Sequence, residues 1–482
     1  MVSTASTDWS QVRATFQRIW GYPDFRPPQD DIVRSLLSGT DTLVVMPTGG
    51  GKSICFQLPA LMQRGLTLVI SPLVALMENQ VQELRDRQLP AATLHSDRPA
   101  YERRRVLQNM HRLRLLYLSP ETLFSPAVWE RLSEEDITIN GLVLDEAHCL
   151  VQWGDTFRPA YRRLGTVRPA LEAVKPGAAI AIAAFTATAD PQAQATIRQV
   201  LQLKSPKTVL LSPYRQNLDL SVAMVWTPQM RRSRLRRFID AHPGQAGLVY
   251  VRTRQDSEAV SAWLRSLGYR VAAYHAGLGS QERRQIESDW IDNRLRFVVC
   301  TSAFGMGINK PDCRWVAHMQ APLLLSEYVQ EVGRGGRDGA AAHALTLVSE
   351  RTGLLAPEDR QRQDFFLRRQ ERQRRGALAL ARKLPERGDV REVTKAFKEG
   401  AIALALLHAM GRLQWVGPFH YVMRRGSGSA ALDLGSTARR MQKFLYGSEC
   451  RWRFVLAAFG FEAEAKGFRC GHCDRCRTIL RR

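Results

Sequence analysis

The sequence predicts an α/β protein with two tandem parallel-sheet domains, followed by a winged-helix module and a small cysteine-ligated zinc module. Three observations carry this prediction: short apolar runs alternate with helix-like stretches in two successive series, a glycine loop follows the first run directly, and Cys450, Cys470, Cys473 and Cys476 lie together near the end.

The first series of runs covers residues 42–46, 66–70, 113–118, 139–144 and 179–185. Apolar segments of that length, separated by helical patterns, are what βα units of a doubly covered parallel sheet look like. The second series covers 247–251, 270–274, 296–300, 315–319 and 344–348, and the join is expected between Pro213 and Pro228. From Arg351 the composition changes, with eight arginines between Arg351 and Arg375 inclusive. Such a run is the solvated face of a helix or a face that follows a phosphate backbone. Helical spacing returns at 376–382, 391–398 and 401–410, and two strand-like pieces, 412–416 and 419–424, flank a Gly417-Pro418 turn. Helices followed by a hairpin suggest the winged helix, although a helical bundle would leave similar periodicity. Residues 426–436 read as a linker. The expected domains are therefore 1–212, 213–350, 351–436 and 437–482.

In 482 residues, 69 Lys and Arg stand against 46 Asp and Glu, a formal net charge of +23, while 45% of the residues are hydrophobic. That apolar content excludes disorder as the main state, and the charge points to a polyanion such as nucleic acid or an acidic membrane surface. No run reaches the roughly 20 apolar residues that cross a bilayer, and the first residues lack a signal-peptide core. A soluble, cytoplasmic chain without a membrane partner is expected. Cys55, Cys149, Cys300 and Cys313 stand singly in apolar surroundings and are expected to be reduced core thiols.

The strongest motif is Met46-Pro47-Thr48-Gly49-Gly50-Gly51-Lys52-Ser53, between a strand-like run and a helix-like one. Its glycines let backbone N–H groups face phosphate oxygens at a helix start, Lys52 would reach the β- and γ-phosphates, and Ser53 would bind Mg²⁺. Asp145-Glu146-Ala147-His148 follows a strand end, where open α/β sheets hold ligands. Asp145 is placed to hold Mg²⁺ and Glu146 to activate the water that attacks the γ-phosphate. Arg334 and Arg337, in Gln330-Glu331-Val332-Gly333-Arg334-Gly335-Gly336-Arg337-Asp338, are candidate arginine fingers, either of which would meet the γ-phosphate on closure. The four clustered cysteines suit tetrahedral zinc, with a [4Fe-4S] cluster as the chemical alternative, and Cys450 is expected inside a helix. His472, between two of them, is expected to point away.

Together these pieces resemble the RecQ family of superfamily 2 DNA helicases over most of residues 18–345. The resemblance implies two RecA-like domains, ATP and Mg²⁺ as cofactors, and 3′ to 5′ unwinding of duplex DNA in recombination and repair. It implies that Tyr22 stacks on adenine while Arg26 and Gln29 hydrogen-bond to it. It makes Ser71-Pro72-Leu73 and Ser119-Pro120-Glu121 strand-binding motifs, and Phe185-Thr186-Ala187-Thr188-Ala189 a coupling motif. The segments carrying His275 and Thr301 are similar to DNA-contact and nucleotide-sensing segments, and Trp153, Phe157 and Arg158 lie in a stretch that resembles the family's aromatic-rich loop. Aromatic rings there can stack on bases without reading sequence. The chain departs from the family pattern at Asp155-Thr156, at Gly335, and in placing the winged helix before the zinc module. The expected partners are single-stranded and forked or tailed duplex DNA and DNA repair proteins, with a monomer favoured. The alternatives are a DNA-stimulated translocase or remodelling ATPase, and a non-enzymatic architectural DNA-binding protein.

Overall fold

A computed structural model describes residues 8–47, 49–152, 158–304, 308–424 and 434–480. These residues cluster into two compact units, one drawn from the segments Met1–Met46, Gly50–Leu211 and Glu371–Leu432, the other from Pro47–Gly49, Ser212–Gln370 and Asp433–Arg482.

The first unit is built on a parallel sheet of β1 (Thr42–Val45), β2 (Leu66–Ile70), β3 (Ala91–Leu94), β4 (Leu115–Leu118), β5 (Ile139–Leu144), β6 (Ala181–Thr186) and β7 (Lys207–Leu210), in the order β3-β4-β2-β5-β6-β1-β7. The central strands read as unbroken apolar runs because both faces are buried, one around Leu68, Leu116 and Ile182, the other around Val44, Val69 and Phe185. The sequence pattern misses β3 and β7, which are short and lie at the two edges of the sheet. Because β5, β6 and β1 are neighbours, the loops leaving their carboxyl ends converge, and the phosphate-loop and DEAH segments are two of those loops.

The second unit has the sheet β10-β11-β9-β12-β13-β8, from β8 (Leu218–Val225), β9 (Ala246–Tyr250), β10 (Val271–Tyr274), β11 (Phe297–Cys300), β12 (Cys313–His318) and β13 (Ala342–Ser349). The segment 213–228, expected as a join, therefore contains an edge strand of this sheet. β8 pairs in parallel with β13 from Leu218↔Ala342 to Ser349↔Val225, and its Ser221–Met224 stretch is only half-buried or exposed, which hides it from an apolar-run pattern. The C-terminal segment packs on this strand. Trp452 Nε1 donates to Leu218 O at 3.0 Å, Arg477 donates to Ser221 Oγ at 3.0 Å, and Phe444, Trp452 and Val455 share a core with Leu218, Leu220 and Tyr328.

The arginine run forms part of one 24-residue helix, Glu358–Ala381, whose only buried residue is Ala377. It extends through residues 376–382, which the sequence pattern separates. The segment expected as 351–436 is thus divided between the two units at Gln370/Glu371. Next come β14 (Arg387–Asp389), helices Val390–Ala396 and Gly400–Ala409, and the hairpin β15 (Leu413–Trp415) and β16 (His420–Met423), in an antiparallel sheet of order β14-β16-β15. β14 is unanticipated because it is three polar residues long. Helix Gly400–Ala409 is apolar on every face, GAIALALLHA, as a helix buried on two sides must be. One side meets Trp415 and Tyr421 in the module's own core, and the other packs on the 3₁₀ segment Pro159–Thr166 of the first sheet domain.

Candidate active site

The phosphate-loop lysine opens helix Lys52–Met62, which is preceded by Gly51 in the left-handed region at φ 77°. Gly51 is required twice over. Its φ disfavours L side chains, and a Cβ there would lie 2.4 Å from the Gln29 Nε2 atom. Gln29 is buried, accepts from the Arg26 N–H at 2.9 Å and donates to Gly50 O at 3.0 Å. The segment resembling an adenine reader is therefore fastened to the phosphate loop through one amide, while the Tyr22 ring is 46% exposed and available for stacking. Lys52 Nζ lies 3.4 Å from Met46 O at the end of β1, and Ser53 is the next residue of the same helix. Thr48 lies outside the described residues.

Asp145 and Glu146 leave the end of β5 and are both buried. Asp145 accepts from Gln80 at 3.1 Å and from the Glu146 N–H at 3.0 Å. Burial and the adjacent Glu146 carboxylate push the Asp145 carboxyl up to about 6, while Lys52 and Gln80 pull it down. A divalent cation would supply the charge that such a pair of carboxylates lacks. Glu146 has φ 52°, a conformation that costs a non-glycine residue about 1–3 kcal/mol and persists where its neighbours impose it. His148 Nδ1 stands 3.2 Å from Glu146 Oε2 and 3.1 Å from Thr186 Oγ1 at the end of β6. Burial opposes the imidazolium, but Cys149 and Glu146 beside it favour the charged ring, which is pushed up to about 10. Gln80 and His148 are thus site neighbours that motif reading leaves without a role, and Thr186, from the segment resembling a coupling motif, joins them. Gln80 sits in a helix with no motif spacing to mark it.

In the second unit, His275 is buried at the end of β10, donating through Nε2 to Glu258 at 2.9 Å and accepting the Gly277 N–H on Nδ1 at 3.1 Å, which fixes its tautomer. Thr301 follows β11, its N–H donating to Tyr274 O at 3.1 Å. Arg337 donates to Ile308 O at 3.0 Å, and burial together with Arg334 pulls its guanidinium down to about 10. Just ahead of the two arginines, the Glu331 carboxylate takes a bidentate bond from Arg252 at 3.0 and 2.8 Å and a bond from His318 at 2.9 Å. Glu331 is held well below the usual carboxylate range, to about 2, because Arg252 and His318 outweigh its burial. Trp153 and Phe157 lie outside the described residues, as do Asp155 and Thr156, whereas Arg158 pairs with Glu121 at 3.5 Å.

Cys450, Cys470, Cys473 and Cys476 converge, with all four sulfurs within 4.8 Å of one another. Cys450 is not inside a helix. It is the residue before helix Arg451–Ala458, which frees its side chain to face the trio. The Cys470–Cys476 and Cys450–Cys473 sulfur pairs are each 3.9 Å apart. Four thiolates about 2.3 Å from a tetrahedral ion stand about 3.8 Å from one another, so the set fits a single metal ion. His472 turns to the Tyr214 hydroxyl at 3.4 Å. The other four cysteines are buried free thiols. No helix among the described residues is long and apolar enough to cross a membrane.

A phosphate loop and an acidic strand end on the two strands that flank β6, followed by a second parallel-sheet domain bearing paired arginines, define a two-domain helicase-type nucleoside triphosphatase. Comparison with known proteins agrees: residues 26–197 match the DEAD/DEAH box helicase family and residues 230–339 the helicase conserved C-terminal domain. The chain is 49% identical over 97% of its length to the ATP-dependent DNA helicase RecQ of Synechocystis, covering 98% of that protein. It is 38% identical over 70% of its length to the probable ATP-dependent DNA helicase RecS of Bacillus subtilis, covering 67% of it. Among solved structures, Mycobacterium smegmatis helicase Lhr bound to ssDNA and AMP-PNP aligns over 86% of this chain and 60% of that one, with TM-score 0.58 and 22% identity. That likeness concerns the fold. The chain belongs to the RecQ family of ATP-dependent DNA helicases.

Proposed function

We propose that the protein hydrolyses ATP with Mg²⁺ to move 3′ to 5′ along single-stranded DNA and to separate forked or tailed duplexes in recombination and repair. The observation that carries this reading is the assembly of Gln29, Lys52, Asp145 and Glu146 around one set of strand ends, in a chain so similar to a RecQ helicase along its whole length. Lys52 binds the β- and γ-phosphates, Ser53 and Asp145 hold Mg²⁺, and Glu146, oriented by His148, takes the proton of the attacking water. Thr48, Gly49 and Gly51 line the phosphates, with Tyr22, Arg26 and Gln29 at the base. Arg334 and Arg337 stabilise charge at the γ-phosphate, and Arg252 and His318 fix the Glu331 turn that carries them. Trp153, Phe157, Arg158, His275 and Thr301 couple the strand to hydrolysis. We propose zinc as the metal of the four cysteines. A cubane iron-sulfur cluster distributes its cysteines over four separate irons and calls for a wider set of sulfurs. The metal's part is structural: it fixes the segment that covers β8.

We further propose the domain division 1–212, 213–350, 351–436 and 437–482, with 376–426 a winged helix on the strength of its helix-strand-helix-helix-hairpin order. We also propose that the protein is a cytoplasmic, DNA-associated monomer that meets DNA repair proteins. The test is ATP turnover with and without single-stranded DNA, alongside separation of a 3′-tailed fork, for the metal-loaded protein and Lys52→Ala. Stimulated turnover with separation is expected, both abolished in the variant. Stimulated turnover without separation would replace the helicase with a translocase, and strand separation that survives Lys52→Ala would overturn the assignment.

A further inference from the structure

Within the first unit, the module 387–423 is docked by the helix Gly400–Ala409, and its hairpin turn is fixed as well. Arg163 donates to Pro418 O at 2.9 Å, and the Phe419 ring sits edge-on to Trp129 and Phe124 at 6.0 and 6.4 Å. This joint leaves a groove of about 390 Å³, lined on one side by Glu121, Pro159 and Arg163 and on the other by Arg391, Lys395 and Phe419. Arg163 forms part of its wall. The guanidinium lies 4.3 Å over the Phe124 ring and 5.9 Å from the Trp415 ring centre, and burial pulls it down to about 10. Among the described residues no carboxylate comes within ion-pairing distance of it. Glu121 and Asp389 act on it only through space. Buried cations are ordinarily paired directly, so a largely buried arginine without a direct ion pair beside an open groove marks a place for an anion. At the rim, Lys395 is exposed, and Arg391 stacks 4.8 Å over Phe419. The one acidic lining residue, Glu121, is already paired with Arg158.

We propose that this groove binds a phosphate of single-stranded DNA and so extends the strand's path from the first ATPase domain onto the inserted module. This rests on the reading that Glu121 and Arg158 belong to the strand-binding surface. Glu121 lines the groove, and Pro159 and Ala160, which directly follow Arg158, form its wall. Arg163 supplies the cation beneath the phosphate and Lys395 flanks it, while Arg391, whose guanidinium is held by Asp389 at 3.0 Å, only closes the rim. The aromatic edge of Phe419 faces the sugar or base.

The test uses the full metal-loaded chain and fluorescently labelled oligothymidylates of graded length, with binding measured across a salt series. Lys395→Glu should weaken binding of the longer oligomers about tenfold and flatten the salt dependence by roughly one phosphate contact, leaving the shortest oligomers unaffected. Lys398→Glu, on the same module but outside the groove, should do neither. Arg158→Ala should weaken all lengths. A photoreactive side chain at position 395 should crosslink to the single strand. If Arg158→Ala weakens binding but Lys395→Glu does not and position 395 fails to crosslink, the groove is not on the path. If Arg158→Ala also binds normally, the strand-surface reading itself falls. Equal losses for Lys395→Glu and Lys398→Glu would reduce the effect to general charge and overturn the site.

Discussion

The module at residues 387–423 and the cysteine module around Cys450–Cys476 follow one another in the chain, but they are built by opposite means. The first has nine buried core residues of its own, Leu404, Leu407, Trp415 and Tyr421 among them, and adds to them the surface of the first ATPase domain. The second puts Trp452 and Val455 against the second domain's edge strand and gathers its remaining segment around four sulfurs. Segments this short bury too little surface to stand alone. The comparison teaches that the same deficit can be met by borrowing a neighbour's apolar face or, with the metal proposed above, by binding an ion, and that the two solutions fail under different insults.

The largest difference should come from the metal. Cys473→Ser, or chelation, should release the ion, whose apparent binding free energy in structural zinc sites is about 10–16 kcal/mol. Hydrogen exchange should then rise across 450–476 while 387–423 stays protected, with metal content read by mass spectrometry. Equal deprotection of both segments would break the comparison. Leu404→Ala, at a fully buried position of helix Gly400–Ala409, should cost about 2–5 kcal/mol. It should loosen 387–423 in the same exchange experiment with the metal retained.

Acid gives a smaller and sharper contrast. Burial, with Arg162 nearby, pulls the His408 ring down to about 4. The unfolded chain takes up a proton near pH 6.5, whereas the folded module resists until about 4, so its stability is complete above 6.5 and declines as pH falls through that interval. The loss should be on the order of 3 kcal/mol, seen as falling protection of 387–423, and His408→Phe should abolish it. Retained acid sensitivity in that variant would place the titrating group elsewhere. The smallest effect belongs to the helix that carries the chain from the second unit to the first. Glu371 pairs with Arg375 at 2.9 Å on its exposed surface, and Glu371→Ala should change the thermal midpoint by less than the equivalent of about 0.5 kcal/mol.

The two modules also differ in what their sequences disclose. Cysteine spacing alone points to a metal centre, a zinc ion or a [4Fe-4S] cluster, because ligand chemistry leaves few alternatives. The docking of helix Gly400–Ala409 is not readable, since an all-apolar helix states that it is covered without stating by what. The same division runs through the catalytic domains. Buried central strands and the Lys52, Asp145 and Glu146 positions are legible as runs and motifs. Edge strands such as β8, and partners recruited through tertiary contact such as Gln80 on Asp145 and Arg252 on Glu331, carry no local signal. Cys450 shows the limit of periodicity: its helix is real, but the ligand stands one residue before it.

Apart from Pro47–Gly49, which cluster with the second unit, the chain stays in the first unit until Leu211/Ser212, passes there to the second and returns at Gln370/Glu371. A break at Leu211/Ser212 would therefore not release two independent halves. The C-terminal fragment would still carry the piece that belongs to its counterpart, an apolar helix and a fixed hairpin ready to plug back into the 3₁₀ segment. Two polypeptides divided at that point and co-expressed should find each other without a tag, so the protein has a natural seam at which a single gene can be split in two.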